Sequence, residues 1–336
     1  MSVTLIDVDG GEYRLAGSLT AVDAADLTAA TGWALKPEGL CRGEVCVPLL
    51  GRVVATSDAA IDLAAWASTL GHHYAVDAER EVLALAAATS AAALEVGTQA
   101  PDVELPDVDG NLHALSDLAG RKRVLVTWAS WCGCRYELGA WRDLQDELAP
   151  AGLSVYSVAL DNSADDARPW VEAADPSYPV VVDSAHVVAE RYAITNVPST
   201  VWIDEAGRIV KPPTISPGDD QFRDFTKIDA AVHHEALRRW VNDGELPETG
   251  GSVDTRTPDE QLAQAERRLG AWLHNRGETE AAKAHLDRAV ELAPWDWTVR
   301  RASIALRGDD PFLGEEFTTF WQQWDDAGRP GYVGMA

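Results

Sequence analysis

Two cysteines separated by a single glycine, Cys132-Gly133-Cys134, follow closely on the apolar run Val124–Trp128. A short apolar run rich in β-branched residues reads as a buried strand. Leu138, Trp141, Leu144 and Leu148 then fall at helical spacing, which predicts a helix from about 133 to 148. The thiols therefore stand where a strand hands over to a helix. Amides at a helix N-terminus favour a thiolate, so Cys132 is the expected attacking group and Cys134 the one close enough to resolve a mixed disulfide. Gly133 is expected to supply backbone freedom between them. A disulfide across Cys-Gly-Cys closes a smaller ring than one across Cys-x-x-Cys, and strain should make it easier to reduce. Two thiols so spaced also suit a soft metal or an inert structural role, and those readings stand beside the redox one.

The surroundings of this junction alternate between strand and helix. Ser154–Leu160 reads as a second buried strand, 164–174 as a helix, Val180–Val182 as a short strand and 185–192 as a helix. Thr200–Ile203 and Arg208–Val210 form an expected hairpin around Glu205-Ala206-Gly207. That order predicts an α/β fold whose first strands are parallel and whose closing strands are antiparallel. Residues 212–221 and 245–258 read as linkers, 226–243 as a helix, and the chain from Pro258 as helical. Upstream, 3–15 reads as a hairpin turning at Asp9-Gly10-Gly11. Helices are expected over 21–31 and over 57–70, the latter capped by Ser57 or Asp58. Residues 79–96 are ambiguous between helix and strand. Three regions result: a small α+β domain over 1–95, a central domain over 97–245 and a helical region over 255–336.

The net charge of −26 over 336 residues disfavours nucleic acid and anionic membranes as partners. The opening Met1–Leu15 lacks the basic start and apolar core of a secretory leader, and no run of apolar residues is long enough to span a membrane. The expected compartment is the cytoplasm, where clustered cysteines are more often catalytic or metal-binding than structural. The four cysteines form two close pairs. The second, Cys41/Cys46, lies in a glycine-bearing stretch beside Arg42, and three readings remain open for it. It is a relay that passes electrons to or from Cys132/Cys134, a structural disulfide, or half of a metal site. The histidines show no metal-ligand spacing with these cysteines, and no cofactor or metal is expected.

The segment from Val126 to Arg135, with Trp131, Cys132, Cys134 and Arg135, resembles the active site of the TlpA/ResA branch of thioredoxin-like proteins, which carry Trp-Cys-x-Pro-Cys-Arg after an apolar strand. Val197-Pro198-Ser199-Thr200, followed by Val201-Trp202-Ile203-Asp204, resembles the cis-proline loop of that branch. The resemblance runs from about 97 to 211. It implies a thioredoxin-like fold and thiol-disulfide oxidoreductase activity on a protein or low-molecular-weight thiol or disulfide. It also implies a cis bond at Pro198, with the Val197 backbone beside the cysteines where a partner chain can pair. Glu137 falls where the branch has an acidic residue near the thiols. It is either a buried proton shuttle with a raised pKa or an exposed first-turn carboxylate. Trp131 either shields Cys132 or serves as a core aromatic. One residue is missing between the cysteines relative to that branch. The shorter form is similar to a ResA-like group with the pattern Trp-Ala-x-x-Sec-Gly-Cys, which Trp128, Ala129, Cys132, Gly133 and Cys134 match with sulfur in place of selenium.

Leu269, Gly270, Leu273, Gly277, Ala282, Leu286, Ala289 and Pro294 resemble one tetratricopeptide repeat over about 263–296. A single repeat cannot form a solenoid, so it is expected to pack on the redox domain or on a second subunit. Trp295, Trp297, Trp321 and Trp324 are expected either in a core or in a groove for a protein partner. Two other functions compete with the oxidoreductase. One is a thiol peroxidase, against which Leu125 and Ala129 stand where peroxiredoxins carry Pro and Thr or Ser ahead of the cysteine. The other is a non-enzymatic binding protein that uses the helical repeat and keeps a degenerate redox fold.

Overall fold

The computed structural model of the chain describes residues 1–57, 59–87, 94–248 and 256–331. It divides into two units, Met1–Ala88 with Arg256–Ala293, and Thr89–Thr255 with Pro294–Ala336. The helical region expected as a third domain is thus shared between the other two. No helix among the described residues is long and apolar enough to cross a membrane.

In the first unit, Ser2–Ile6 and Glu12–Ser18 form the expected hairpin. Its turn is held by the Asp7 carboxylate, which accepts from the amides of Asp9 and Gly11 at 2.9 and 2.8 Å. The helix Ala24–Thr31 starts at the Asp23 cap and stops at Gly32 in the left-handed region. The second helix is shorter than expected. It spans Leu63–Thr69 and is capped by Asp62, because Ala55–Ser57 and Ala60–Ile61 are strands instead. The ambiguous stretch resolves as the strand Val82–Ala86, parallel to Ser2–Ile6 and antiparallel to His73–Asp77. Residues 88–93 of that stretch lie outside the described residues.

All five residues of Val82–Ala86 are buried, so both faces of the seven-stranded sheet need cover. Val3, Leu5, Leu15, Leu83 and Leu85 pack with Leu27 and Trp66 on one side. On the other, Ile6, Ala75, Val82, Ala84 and Ala86 receive Ala265, Leu269, Leu273 and Ala282. Those last residues belong to the helices Pro258–His274 and Thr279–Leu292. The helical pair therefore packs on the sheet of its own unit, where the redox domain or a second subunit was the expected cover. Small alanines on the sheet let a helix approach closely, and the Arg268 guanidinium donates to the carbonyls of Leu85 and Val8. Arg80 with Glu278 and Arg276 with Glu12 tie the edges at 2.8 and 2.6 Å.

The two helices cross at Gly270, where an added Cβ would meet Leu286 Cγ at 2.6 Å and the Ala282 carbonyl at 3.1 Å. Gly270→Val is expected to force them apart and lower stability by about 1–3 kcal/mol. A urea melt of the variant checks this, and an unchanged midpoint would show that the crossing tolerates a side chain.

The second unit holds a five-stranded sheet in the order Val180–Val182, Leu153–Ala159, Lys122–Trp128, Ser199–Ile203, Ile209–Ile215. The first three strands are parallel and the last two antiparallel, as the alternation predicts. The final strand runs further than expected, through Pro212 and Pro213 into what reads as a linker. Proline is tolerated there because the strand lies at the sheet edge. Leu138–Leu148, Ala164–Ala174 and Ala230–Asp243 are the principal helices. After Pro294 the chain builds a cluster of Trp297, Ile304, Phe317, Phe320 and Trp324, closed by the helix Glu315–Asp326. Trp297 and Trp324 are thus core residues, Trp321 stacks on Phe225 at 3.6 Å, and Trp295 is exposed.

Candidate active site

Lys122–Trp128 is the central strand of its sheet, and six of its seven residues are buried. The chain leaves it through Ala129, Ser130 and Trp131. Ser130 binds the Asp161 carboxylate through both its amide and its hydroxyl, the latter at 2.6 Å. The buried Trp131 indole donates to the Leu160 carbonyl at 2.9 Å and serves the core. These bonds fix the exit loop to the neighbouring strand and so fix Cys132.

Cys132 caps a 3₁₀ turn, Gly133–Glu137, which runs directly into the helix Leu138–Leu148. Its Sγ accepts from the Cys134 amide at 3.3 Å and, as the thiol, donates to the Val197 carbonyl at 3.7 Å. The Val197–Pro198 bond is cis. Asn196 braces that loop, its side chain accepting from the Val197 amide at 2.8 Å and its carbonyl accepting from Ser199 Oγ at 2.7 Å. Cys132, Cys134 and the Val197–Pro198 loop thus converge at one end of the sheet.

Both cysteines are reduced and buried, Cys132 at 8% exposure and Cys134 at 3%. Burial works against a thiolate on Cys132, but the Cys134 thiol and amide, together with Arg301 and Arg135, bring its pKa down to about 7. Cys134 goes the other way. Burial, its hydrogen bond to Cys132 and the charges of Cys132 and Glu137 push it well above the ordinary thiol range. Glu137 is 3% exposed, which removes the exposed-carboxylate reading. Burial raises its pKa to about 8, with Cys132 and Asp219 adding to the rise, while the Gly218 amide, donating to Oε2 at 2.7 Å, opposes it. Asp161 is raised to about 7, chiefly by burial and against its bonds to Ser130.

Gly133 does not serve as expected. Its φ is not left-handed, and an added Cβ would meet the Phe222 ring at 2.7 Å. The glycine permits an aromatic ring to lie against the redox turn. Gly218 has a similar role, since a Cβ there would meet Trp141 Nε1 at 2.8 Å and Glu137 Cβ at 2.9 Å.

Sequence reasoning did not single out Phe222, Gly218, Asp161 or Arg301. Asp161 lies two residues past the C-terminal end of the buried strand Leu153–Ala159, where the functional groups of an α/β sheet tend to gather. Arg301 and Phe222 lie in stretches without periodicity and give no such signal.

The other cysteines lie in the first unit. Cys41 and Cys46 are directly paired across the strands Gly39–Arg42 and Val45–Val47 and form a disulfide of 2.03 Å. Cys41 is buried and Cys46 exposed. With the two sulfurs bonded to each other, the half-metal-site reading does not describe this state. Arg42 lies over the Trp33 ring at 4.9 Å. Among the described residues no group of three His, Cys, Asp or Glu side chains is arranged to hold a metal ion.

Residues 96–211 match the AhpC/TSA family. The thioredoxin-like protein YneN of Bacillus subtilis is 33% identical over 119 residues, covering 34% of this chain and 69% of that protein. The thiol-disulfide oxidoreductase ResA of Geobacillus thermodenitrificans is 27% identical over 151 residues, covering 45% of this chain and 82% of ResA. Among solved structures, the thioredoxin domain of a thiol-disulfide oxidoreductase of Bacteroides vulgatus is 22% identical, with a TM-score of 0.37, covering 44% of this chain and 99% of that one.

Proposed function

The chain belongs to the thioredoxin-like redoxins, and on that premise we propose that it carries out thiol-disulfide exchange with Cys132 as the attacking thiolate and Cys134 as the resolving thiol. The observation that carries this reading is the asymmetry of the two sulfurs, one stabilised as a thiolate and the other held as a thiol.

The Cys132 thiolate attacks one sulfur of a substrate disulfide. That S–S bond breaks, a Cys132–substrate disulfide forms, and the other substrate sulfur leaves as a thiolate and takes up a proton. Cys134 then attacks the Cys132 sulfur and releases the second substrate sulfur. Cys134 must lose its proton in this step, and Glu137 is the buried carboxylate whose charge acts on it. The substrate gains two electrons and the protein holds a Cys132–Cys134 disulfide, which a protein or low-molecular-weight thiol reduces again. Disulfide mapping by mass spectrometry tests this after one equivalent of oxidised glutathione is added to the reduced chain. A Cys132–Cys134 bond with two released glutathiones is expected, and two free thiols beside unconsumed oxidised glutathione would contradict it.

The relay reading of Cys41/Cys46 draws support from the exposure of Cys46, which leaves one sulfur open to an incoming thiol. Electrons would pass from a thiol donor through this pair to the shorter-ringed Cys132/Cys134 pair. A Cys41→Ser/Cys46→Ser variant is expected to lose most turnover with a protein reductant and to recover it with a small thiol acting directly on Cys132/Cys134. Unchanged turnover would leave the first pair as a structural disulfide.

A further inference from the structure

The segment beyond Pro294 is anchored on both sides of the redox turn. The Trp297 amide donates to the Thr195 carbonyl at 2.7 Å, just ahead of the Val197–Pro198 loop. Ala302 lies in the core that contains Cys132 and Cys134. Phe312 bridges two guanidinium groups, with its ring 4.1 Å from that of Arg135 and 5.3 Å from that of Arg301. Arg135, next to Cys134, is fixed in turn by the Ser130 carbonyl at 2.6 Å and the Trp170 ring at 4.2 Å.

Arg301 is 7% exposed. Its Nε donates to the Pro311 carbonyl at 3.0 Å, and its guanidinium lies over Phe317 at 4.1 Å. No carboxylate lies within ion-pair distance of it among the described residues; Asp310 acts on it only at longer range. A buried guanidinium with no anionic partner is strongly unfavourable. The anion whose charge acts on Arg301 from within the site is the thiolate of the redox pair.

We propose that Arg301 is a positioning residue for the redox pair. Its guanidinium is the counter-charge that keeps Cys132 in its attacking form, so the site is completed by a segment outside residues 96–211. The inference rests on the reading of Cys132 as the attacking thiol. The charged and titratable groups acting on Cys132 are Cys134, Arg135, Glu137 and Arg301. The two arginines favour the thiolate and Glu137, once ionised, opposes it.

The test uses the full chain, reduced, with Arg301→Met and Arg301→Lys variants. Carbamidomethylation of Cys132 by iodoacetamide is followed against pH by mass spectrometry. The midpoint is expected to stay in place in the Lys variant and to rise by about one pH unit in the Met variant. At pH 9.5, where Cys132 is ionised in every form, the preference for iodoacetate over iodoacetamide should fall several-fold in the Met variant alone. A packing role would lower the melting temperature of both variants and leave the midpoint and the reagent preference unchanged, and that result would overturn the proposal. If Arg301→Met does not fold, the Lys variant decides: a midpoint displaced although the charge is retained would count against the proposal. Mixed-disulfide formation in the same variants separates this inference from the exchange chemistry. A displaced midpoint in a chain that never forms a Cys132 disulfide would overturn the proposed function and leave the pairing standing.

Discussion

Cys132→Ser is expected to abolish turnover of a disulfide substrate, a loss on the order of a thousandfold or more. A serine hydroxyl is not ionised near neutral pH, and nothing at the site replaces the attacking thiolate. Cys134 is a poor substitute, because burial and the Glu137 charge still raise its pKa when Cys132 is gone. Cys134→Ser should stop catalysis at a different point. The first attack survives, because the serine hydroxyl can still donate to the Cys132 thiolate in place of the thiol. The second attack has no nucleophile. Rapid-mixing measurements with oxidised glutathione should therefore show release of one equivalent of glutathione and then arrest. Equal multiple-turnover rates for either variant and the unaltered chain would remove the cysteines from the mechanism.

Glu137→Gln is expected to stabilise the protein, increasingly so as pH rises. In the folded chain the Glu137 carboxyl keeps its proton up to about pH 8. In the unfolded chain it loses that proton near its ordinary value of 4.5. Between those limits the native state binds more protons than the unfolded state, so its stability falls by about 1.4 kcal/mol per pH unit. The contribution is fully present below pH 4.5 and lost as pH climbs through the folded value. Glutamine has no proton to lose, keeps the shape and still accepts from the Gly218 amide. Urea unfolding should then give a variant-minus-native difference near zero at pH 5 and a gain of about 3 kcal/mol at pH 7.5. Above about pH 8, where the native carboxylate is ionised, the same variant should release the second substrate sulfur about 10–100 times more slowly, since Cys134 loses its proton acceptor. A stability difference that does not change between the two pH values would mean that the carboxylate is already charged in the folded protein.

The redox turn was legible because its chemistry is written in consecutive residues. An apolar strand, two thiols one residue apart and a helical repeat specify a junction without any knowledge of the rest of the fold. The Val197–Pro198 loop was legible through its resemblance alone. The acidic pKa behaviour of Glu137 was not settled by its position, because first-turn carboxylates are as readily exposed as buried. What decides it is Gly218, which closes over Glu137 from a stretch that reads as a linker. Phe222, against Gly133, comes from just beyond that stretch and gave no sign of its position. The helical pair 258–292 shows a related limit. Its apolar stripe says that one face is covered, and only the alanine-rich sheet face of the first unit, formed from both ends of its own sequence, says by what. The helix over 57–70 was misjudged at its start because Ser57, Asp58 and Asp62 are equally good caps, and pairing of Ile61 with Val22 takes the earlier residues into a strand.

The most direct measurement of the central claim is adduct formation by single-cysteine variants of the redox turn. Cys134→Ser and Cys132→Ser chains, each with the Cys41–Cys46 disulfide intact, are incubated with oxidised glutathione at pH 7 and analysed by mass spectrometry under non-reducing conditions. The account predicts one glutathionyl group on Cys132 in the first variant, removable by a thiol reductant, and essentially none on Cys134 in the second. Faster adduct formation on Cys134 than on Cys132, or no adduct on either, would contradict it.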